Sequence, residues 1–406
     1  MISTVIPNAS GPGLHRRAAA HLRLLARHGD VSLLVLNAAS NDIADVPKDI
    51  AEVCHSVTVI SDEGARSTVS SRLPGAALIA ELCFPQRFRG LPPENNLAHA
   101  VELMAAVRYD MACCFRIKSA LVLMRLEHRF GFRVDRRIVD FDDIESAALT
   151  RSMTYLADQN GRELGVINKI RVRRTIAVEN GLLKTFDATI VCSTIDRDSL
   201  AVRAPLADIC VIPNCVRLDN LPARCWASGK MNILFVGTMS YAPNIDAVQW
   251  FCLDILPRIL DRAATRCEVF IVGFRPSDEI RALADLASVT VTGGVDSVVP
   301  YYQDADIVIA PIRFGGGTRI KILEAMGMAK PVVSTTIGAE GIEIDPGRNI
   351  LIADTEDAFA EACLILIADP TLRHRLGSAA RYQIEEKYTE EVIAKEFGRI
   401  VALPRT

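Results

Sequence analysis

The chain has 406 residues, half of them apolar, which is enough material for two domains, each with its own core. Lysine and arginine (46 residues) nearly balance aspartate and glutamate (49 residues), so the overall charge excludes a general affinity for nucleic acid. The 11 cysteines include no C-x-x-C pair, which predicts reduced core thiols rather than disulfides or a metal site. Since no apolar run reaches about 18 residues and a signal-peptide pattern is absent, we expect a cytoplasmic protein.

The first half of the chain alternates strand-like stretches with helical ones. A glycine-containing loop over 7–17 leads into a predicted helix over 14–27, and Gly13 lies where the two meet. This loop is either a binding loop or an exposed turn. The predicted strands of this half are 4–6, 31–36, 56–60, 110–115, 137–141, 188–192 and 208–212.

Three acidic residues, Asp140, Asp142 and Asp143, lie at the end of one of these strands. They can bind hydroxyl groups of a ligand, or Asp143 can cap the following helix. We predict no histidine base in this half. The histidines expected at surface or helix-face positions are His15, His21 and His99.

Two stretches of the first half are candidates for a peripheral contact with a membrane. Residues 162–184 carry six basic residues against two acidic ones, which fits either an anionic membrane surface or a solvated helix face. Residues 73–88 are mostly apolar with arginines nearby, and they fit a surface contact or the core of the first domain.

From residue 231 onward the alternation is regular and typical of a parallel sheet covered by helices on both faces. The predicted strands are 231–236, 268–272, 289–292, 306–310, 331–335 and 349–353, and the predicted helices are 244–262, 276–286, 318–328 and 356–368. We therefore predict an N-terminal domain at 1–219, a linker at 220–230 and a C-terminal domain at 231–388. The remaining segment, 389–406, is predicted to form a helix that crosses back to the first domain.

The most informative stretch is a strand that ends in a glycine-rich loop and opens a helix. The loop consists of Gly315, Gly316, Gly317 and Thr318. Its amides and the helix dipole favour an anion, and Arg319 and Lys321 add mobile positive charge that opposes the dipole unless an anion is bound. Glu324, further along the helix, can accept hydrogen bonds from paired sugar hydroxyls. The stretch predicts a nucleoside diphosphate site, or else an ordinary turn with a solvated basic helix start.

Two further turns follow strands of the second half. Gly237 and Thr238 precede a helix that starts near Asn244, and their amides can meet the same diphosphate. Val295 follows a Gly-Gly turn and can place backbone groups against a base. Each turn is otherwise an ordinary strand-to-helix connection.

The order of these motifs resembles the family 4 retaining glycosyltransferases (glycosyl transferases group 1), in particular their exopolysaccharide-type members, over nearly all of residues 231–390. In order, the motifs are Phe-Val-Gly-Thr238, Ile-Val-Gly273, Val-Thr-Gly-Gly-Val-Asp296, Ala-Asp-Ile-Val-Ile-Ala-Pro311, Gly-Gly-Gly-Thr-Arg-Ile-Lys-Ile-Leu-Glu-Ala-Met326, Lys-Pro-Val-Val-Ser-Thr335 and Gly-Ala-Glu-Gly341. Two earlier stretches share the likeness, Arg-Ile-Val-Asp-Phe-Asp-Asp143 and Ile-Pro-Asn-Cys-Val216.

The resemblance implies an α/β fold of the GT-B type, in which two Rossmann-like doubly wound domains face a central cleft. It implies that the loop around Gly13 faces the leaving phosphate and the acceptor. Glu324 matches the second Glu of the family's Glu-x7-Glu pattern, which binds the donor ribose, whereas the first Glu falls on Gly316.

Many members of the family hold the diphosphate with an Arg and a Lys after the Phe-Val-Gly strand. This chain has Thr238 and Asn244 in that region, and we expect Arg319 and Lys321 to replace the missing pair. They would stabilise the departing diphosphate electrostatically.

The activity implied by the resemblance is transfer of a sugar, with retained configuration and no metal, from a nucleoside diphosphate sugar to a hydroxyl acceptor. The donor would be UDP- or GDP-linked, and no cofactor is needed besides this substrate. The acceptor would be a glycan, a lipid-linked molecule or a small molecule, and a peripheral position on the inner face of a membrane is compatible with it. The alternatives are a sugar-nucleotide epimerase and a non-catalytic partner subunit of the same architecture.

Overall fold

The computed structural model describes residues 1–9, 11–37, 46–61, 91–104, 107–159, 161, 163–218 and 229–402. Their contacts divide the chain into two units, Met1–Pro213 with Ala394–Thr406, and Asn214–Ile393. The predicted linker at 220–230 lies outside the described residues except for its last two positions, and the apolar stretch at 73–88 lies outside them altogether.

The first unit is built on seven parallel strands. They are β1 (Ile2–Ser3), β2 (Ser32–Asn37), β3 (Ser56–Ser61), β4 (Tyr109–Phe115), β5 (Val134–Asp140), β6 (Ala188–Val191) and β7 (Ile209–Val211). Their order in the sheet is β3-β2-β1-β4-β5-β6-β7. The first strand therefore precedes the predicted 4–6, because Ile2 and Ser3 pair with both neighbouring strands.

Helices connect these strands and cover the sheet. They are α1 (Gly13–Ala26), α2 (Lys48–Ala51), α3 (Glu94–Met104), α4 (Ile117–Phe130), α5 (Glu145–Gln159), α6 (Val166–Thr185) and α7 (Thr194–Arg203). Within the described ranges, no helix combines the length and the apolar character that a membrane span requires.

The second unit is built on six parallel strands. They are β8 (Lys230–Val236), β9 (Arg266–Val272), β10 (Val289–Gly293), β11 (Ile307–Ala310), β12 (Val332–Ser334) and β13 (Leu351–Ile352), in the order β10-β9-β8-β11-β12-β13. The helices are α8 (Ala242–Trp250), α9 (Leu256–Arg262), α10 (Asp278–Ala282), α11 (Val299–Asp304), α12 (Ile320–Gly327), α13 (Glu356–Ala368), α14 (Pro370–Lys387) and α15 (Glu390–Ala402). A π-helical turn, Phe251–Ile255, joins α8 to α9. From Ala394 onward, α15 belongs to the first unit.

Both faces of the second sheet are buried, as expected for strands with continuous apolar runs. Along β11, Ile307 and Ile309 join one core cluster, whereas Val308 and Ala310 join the other. This alternation follows from the two-residue period of a strand.

In each sheet the strand order reverses beside the unit's first strand, between β1 and β4 and between β8 and β11. Ligands of doubly wound sheets bind outside the carboxyl ends of the strands at such a point. The glycine-rich loop after β11 and the Gly237 turn after β8 flank the reversal in the second unit. The fold is thus the predicted pair of doubly wound, Rossmann-like units.

Candidate functional site

The glycine-rich loop after β11 depends on two residues with positive φ, Gly315 (112°) and Gly317 (73°). A side chain is strained in this region, so glycine is the natural residue at both positions. A Cβ on Gly315 would also lie 3.1 Å from Pro243 Cγ and 3.3 Å from the Tyr241 hydroxyl. The loop is therefore packed against the turn that follows β8.

Arg319 precedes α12 and lies inside the loop rather than on its surface. The residue is only 9% exposed, and its Nη1 donates to the carbonyl oxygens of Gly316 and Gly317. The expected mobile charge is therefore wrong for this residue, because the guanidinium is occupied by the loop's own carbonyls. These bonds fix the path of the loop. A direct contact between Arg319 and a ligand stays a prediction.

Lys321, in the first turn of α12, reaches the turn after β8. Its Nζ donates to Asn244 Oδ1 at 2.8 Å and lies 3.9 Å from the centroid of the Phe235 ring. Burial, and secondarily the charge of Arg319, hold the pKa of the Lys321 ammonium well below its usual range. The side chain remains partly exposed. A ligand at this turn can therefore meet a partly desolvated ammonium.

The ends of β8, β9 and β10 lie against one another through their backbones. The Gly237 amide donates to the Val272 carbonyl at 3.0 Å, and the Gly273 amide donates to the Gly293 carbonyl at 3.2 Å. A Cβ on Gly273 would lie 1.6 Å from the Gly237 oxygen. After β10, the side chain of Val295 packs against an apolar cluster, so its backbone is the part it offers to a ligand.

Glu324 is held by a residue that sequence reasoning did not identify. The Tyr302 hydroxyl lies 3.0 Å from Glu324 Oε2, and the Tyr302 residue is only 1% exposed. Glu324 is partly exposed and follows Lys321 by about one helical turn. Tyr302 therefore leaves the Glu324 carboxylate oriented and still accessible.

Asn214 is another unpredicted contact of the loop. Its Nδ2 donates to Thr318 Oγ1 at 2.5 Å, and the residue is 4% exposed. Asn214 lies in the Pro-Asn-Cys-Val motif, and its place there was the available signal. The structure thus brings together most of the predicted residues of the second unit at one edge of its sheet, and it adds Asn214, Asn244 and Tyr302.

Gly13 lies in the first unit, where it begins α1. Pro12 precedes it without a side-chain cap, and the first turn contains no acidic residue. The amides at this helix start therefore suit an anion or a hydroxyl oxygen. His15 Nδ1 lies 2.7 Å from the Ile6 carbonyl and stabilises the loop before α1.

Asp140, at the end of β5, is buried and does not offer hydroxyl binding. Arg17 pairs with it through Nε at 2.9 Å and Nη2 at 3.0 Å, and His21 Nδ1 lies 2.9 Å from its Oδ2. Burial alone would raise the pKa of Asp140, but Arg17 and His21 outweigh it and hold that pKa well below its usual range. Of the two positions expected for His21, surface or helix face, the surface is excluded, because His21 is 2% exposed and lies on a buried face of α1.

Two residues near the ends of β4 and β5 have unusual backbone conformations. Arg116 has φ 71° and ψ 159°, and Asp142 has φ 59°. Their side chains pair at 3.2 Å, and Arg116 also contacts Glu145 at 3.0 Å. Burial raises the pKa of Asp142, although Arg116 opposes the rise. Non-glycine residues in such conformations concentrate at functional sites, so Asp142 is the better candidate for hydroxyl binding.

Comparison with known proteins gives a family match in the second half of the chain. Residues 230–369 match the family model described as Glycosyl transferases group 1. The glycogen synthase of Mycobacterium tuberculosis (strain ATCC 25618 / H37Rv) is 26% identical over 261 residues. That match spans 61% of this chain and 61% of the synthase, which is less than two thirds of the relative's length.

Solved structures share the architecture of almost the whole chain. Sucrose-phosphate synthase from Thermosynechococcus elongatus has a TM-score of 0.71 at 16% identity, covering 98% of this chain and 97% of the synthase. Anabaena HepE, solved in complex with UDP and glucose, has a TM-score of 0.64 at 15% identity and 99% coverage of both chains. At such identities the likeness establishes the fold, which is that of GT-B glycosyltransferases.

Proposed function

We propose that this chain transfers a sugar from a nucleoside diphosphate sugar to a hydroxyl acceptor. It matches the group 1 glycosyltransferase model over residues 230–369, and its fold is of the GT-B type. One observation carries the proposal. At the strand-order reversal of the second sheet, the Lys321 ammonium and the Glu324 carboxylate lie about one helical turn apart on α12. Lys321 suits the diphosphate, and Glu324 suits the ribose diol. The loop that Arg319 braces through the carbonyls of Gly316 and Gly317 comes directly before them in the chain.

The donor we propose is UDP- or GDP-linked. HepE, solved with UDP and glucose, supports UDP as the first nucleotide to try. In the proposed reaction, the bond from the sugar's anomeric carbon to the diphosphate breaks while a bond to the acceptor oxygen forms on the same face. The acceptor's proton passes to the departing phosphate. Lys321 and the start of α12 stabilise the charge that develops on the leaving group, and the proposed mechanism uses no metal and no covalent intermediate.

The acceptor we propose is a glycan, a lipid-linked molecule or a small molecule, with Asp142 and the start of α1 among its contacts. Within the basic stretch, residues 166–184 belong to α6, where Val166, Ile167, Lys169 and Arg173 are exposed. This pattern is compatible with a peripheral contact on the cytoplasmic face of a membrane, which stays a prediction.

A nucleotide panel tests the proposal. We expect one of UDP, GDP, ADP or dTDP, or one of their sugars, to raise the melting temperature of the wild type. Glu324→Ala should lower the affinity for that nucleotide at least about 10-fold, as measured by calorimetry. The reason is that hydrogen bonds to a charged group contribute about 1.5–3 kcal/mol. The matched control is Glu279→Ala, since Glu279 is an exposed glutamate of the same unit.

The outcomes separate the candidate functions. Release of free nucleoside diphosphate on adding an acceptor supports the transferase. Isomerised nucleotide sugar without release would identify an epimerase instead. Binding without turnover for any acceptor would favour the partner subunit, and no binding at millimolar concentrations would refute the donor site itself.

The contact between Tyr302 and Glu324 gives a second prediction. Tyr302→Phe removes the hydroxyl that orients the carboxylate, and we expect nucleotide affinity to fall about 5-fold, near 1 kcal/mol, with folding retained. Tyr301→Phe is the matched control, because Tyr301 packs against Phe270 and only partly joins the core. Calorimetry of both variants checks the prediction. Equal nucleotide affinities of the two variants would show that Tyr302 does not contribute to the site.

A further inference from the structure

The Lys321 ammonium is a partly desolvated cation, and no counter-charge pairs with it among the described residues. In the part of the chain that the structure describes, its polar partner is the neutral Asn244 oxygen, and no carboxylate pairs with it. After burial, the further cause that lowers the pKa of this ammonium is the charge of another cation, Arg319. Desolvating an unpaired charge is costly, so this arrangement favours an anionic ligand beside Nζ.

The place of this ammonium is defined by a glycine. A Cβ on Gly237 would lie 2.9 Å from Lys321 Nζ and 2.7 Å from Asn244 Nδ2. A side chain at residue 237 would displace one or both of these groups from the end of β8. The ammonium therefore lies beside the first turn after that strand, although its own residue belongs to α12.

The orientation of the Asn244 amide is defined as well. Its Nδ2 donates to the Thr238 carbonyl at 2.9 Å, and the residue is 7% exposed. A flipped amide would turn its NH2 group toward the ammonium and its oxygen toward a carbonyl, which is unfavourable at both ends. Asn244 therefore presents Oδ1 to Lys321 in one stable arrangement.

We propose that Asn244 is a positioning residue that holds the Lys321 ammonium at the turn after β8, where it is the cationic ligand of the donor's diphosphate. The inference rests on the proposed function and deepens it. Asn244 is suited to this role because it accepts a hydrogen bond without neutralising the charge. Arg319 has a different role, which is to brace the loop through the carbonyls of Gly316 and Gly317.

Asn244→Asp is an isosteric change that tests whether the residue holding Lys321 at the diphosphate must be uncharged. The carboxylate still holds Lys321 but supplies the missing counter-charge, so it competes with the diphosphate. We expect the affinity for UDP or GDP, whichever binds the wild type, to fall at least about 10-fold, which corresponds to 1.4 kcal/mol. Asn349→Asp is the matched control, since Asn349 is a buried amide of the same unit that bonds Gln383.

Lys321→Arg supplies an independent readout in the pH profile. Because the pKa of Lys321 is lowered in the free protein, binding of the diphosphate draws the group toward its charged form and takes up a proton. Wild-type affinity for the nucleotide sugar should therefore fall as the pH rises toward the ordinary lysine pKa of about 10.4. Lys321→Arg keeps its charge over this range, so its affinity should change little.

The results distinguish the two proposals. If the wild type binds no nucleotide, the proposed function fails and this inference fails with it. If the wild type binds and Asn244→Asp binds equally well, the positioning role is overturned while the donor site stands. The same conclusion follows if wild type and Lys321→Arg share one pH profile.

Discussion

Arg17→Met is expected to lower the free energy of unfolding by about 3–5 kcal/mol, because it leaves the Asp140 carboxylate buried without its main counter-charge. Arg17 is 3% exposed and Asp140 is fully buried. Arg17 Nη1 also donates to the Ile212 carbonyl at 2.9 Å, so the substitution removes a second contact of the first unit. Thermal and denaturant unfolding of the purified variant measure the loss.

A double variant separates the charge effect from packing. Arg17→Met combined with Asp140→Leu removes both charges, and we expect it to recover much of the stability lost in the single variant. Arg16→Met is the matched control, since Arg16 is a partly exposed neighbour on the same helix. A single variant as stable as the wild type would show that the pair contributes little.

The dependence of stability on pH gives a further readout of the same pair. The folded-state pKa of Asp140 lies below its unfolded value of about 3.9, so the pair stabilises the protein above that value and loses its contribution as the pH falls below it. Wild-type stability should therefore rise with pH up to about 4, and this pair should add no further rise above about pH 5. In Arg17→Met this part of the rise should disappear, because the folded-state pKa is no longer depressed by the guanidinium.

Gly273→Ala is expected to destabilise the second unit by about 3 kcal/mol or more, since overpacking against a fixed backbone is poorly relieved. The new Cβ would lie 1.6 Å from the Gly237 oxygen, so the end of β8 must move. That movement displaces the turn beside Lys321 and Asn244. We therefore also expect nucleotide affinity to fall at least about 10-fold, measured below the melting temperature.

Gly377→Ala is the control that separates local from general effects. Its Cβ would lie 2.1 Å from the Ala329 oxygen, a comparable clash elsewhere in the same unit. We expect this variant to lose stability and to keep nucleotide affinity at temperatures where it is folded. Equal loss of affinity in both glycine variants would contradict a specific role for the strand ends.

Much of the fold was predictable because its signals are local. The alternation of apolar runs with helical stretches gave the strands of the second unit to within a few residues, and α13 was predicted with its bounds. The glycine loop was recognisable for the same reason. The positive φ angles at residues 315 and 317 favour glycine at each position, independently of distant contacts.

The partners of the site residues were not predictable, because they join segments that are far apart in the chain. Asn244 and Lys321 are 77 residues apart, and their contact depends on the pairing of β8 with β11. The burial of His21 depends on which face of α1 meets β5, which the sequence pattern does not define. Arg319 was misjudged because its contacts follow from the path of the loop rather than from its composition.

The assignment of α15 has a consequence for biosynthesis. Residues from Ala394 onward belong to the first unit, and Phe397 packs against His21 with ring centroids 5.1 Å apart. During translation, the ribosome therefore finishes the second unit before it delivers a helix that the first unit requires. Until then, the Phe397 ring is not yet available to pack against His21. A chaperone that engages the nascent chain before α15 emerges would meet an incomplete first unit.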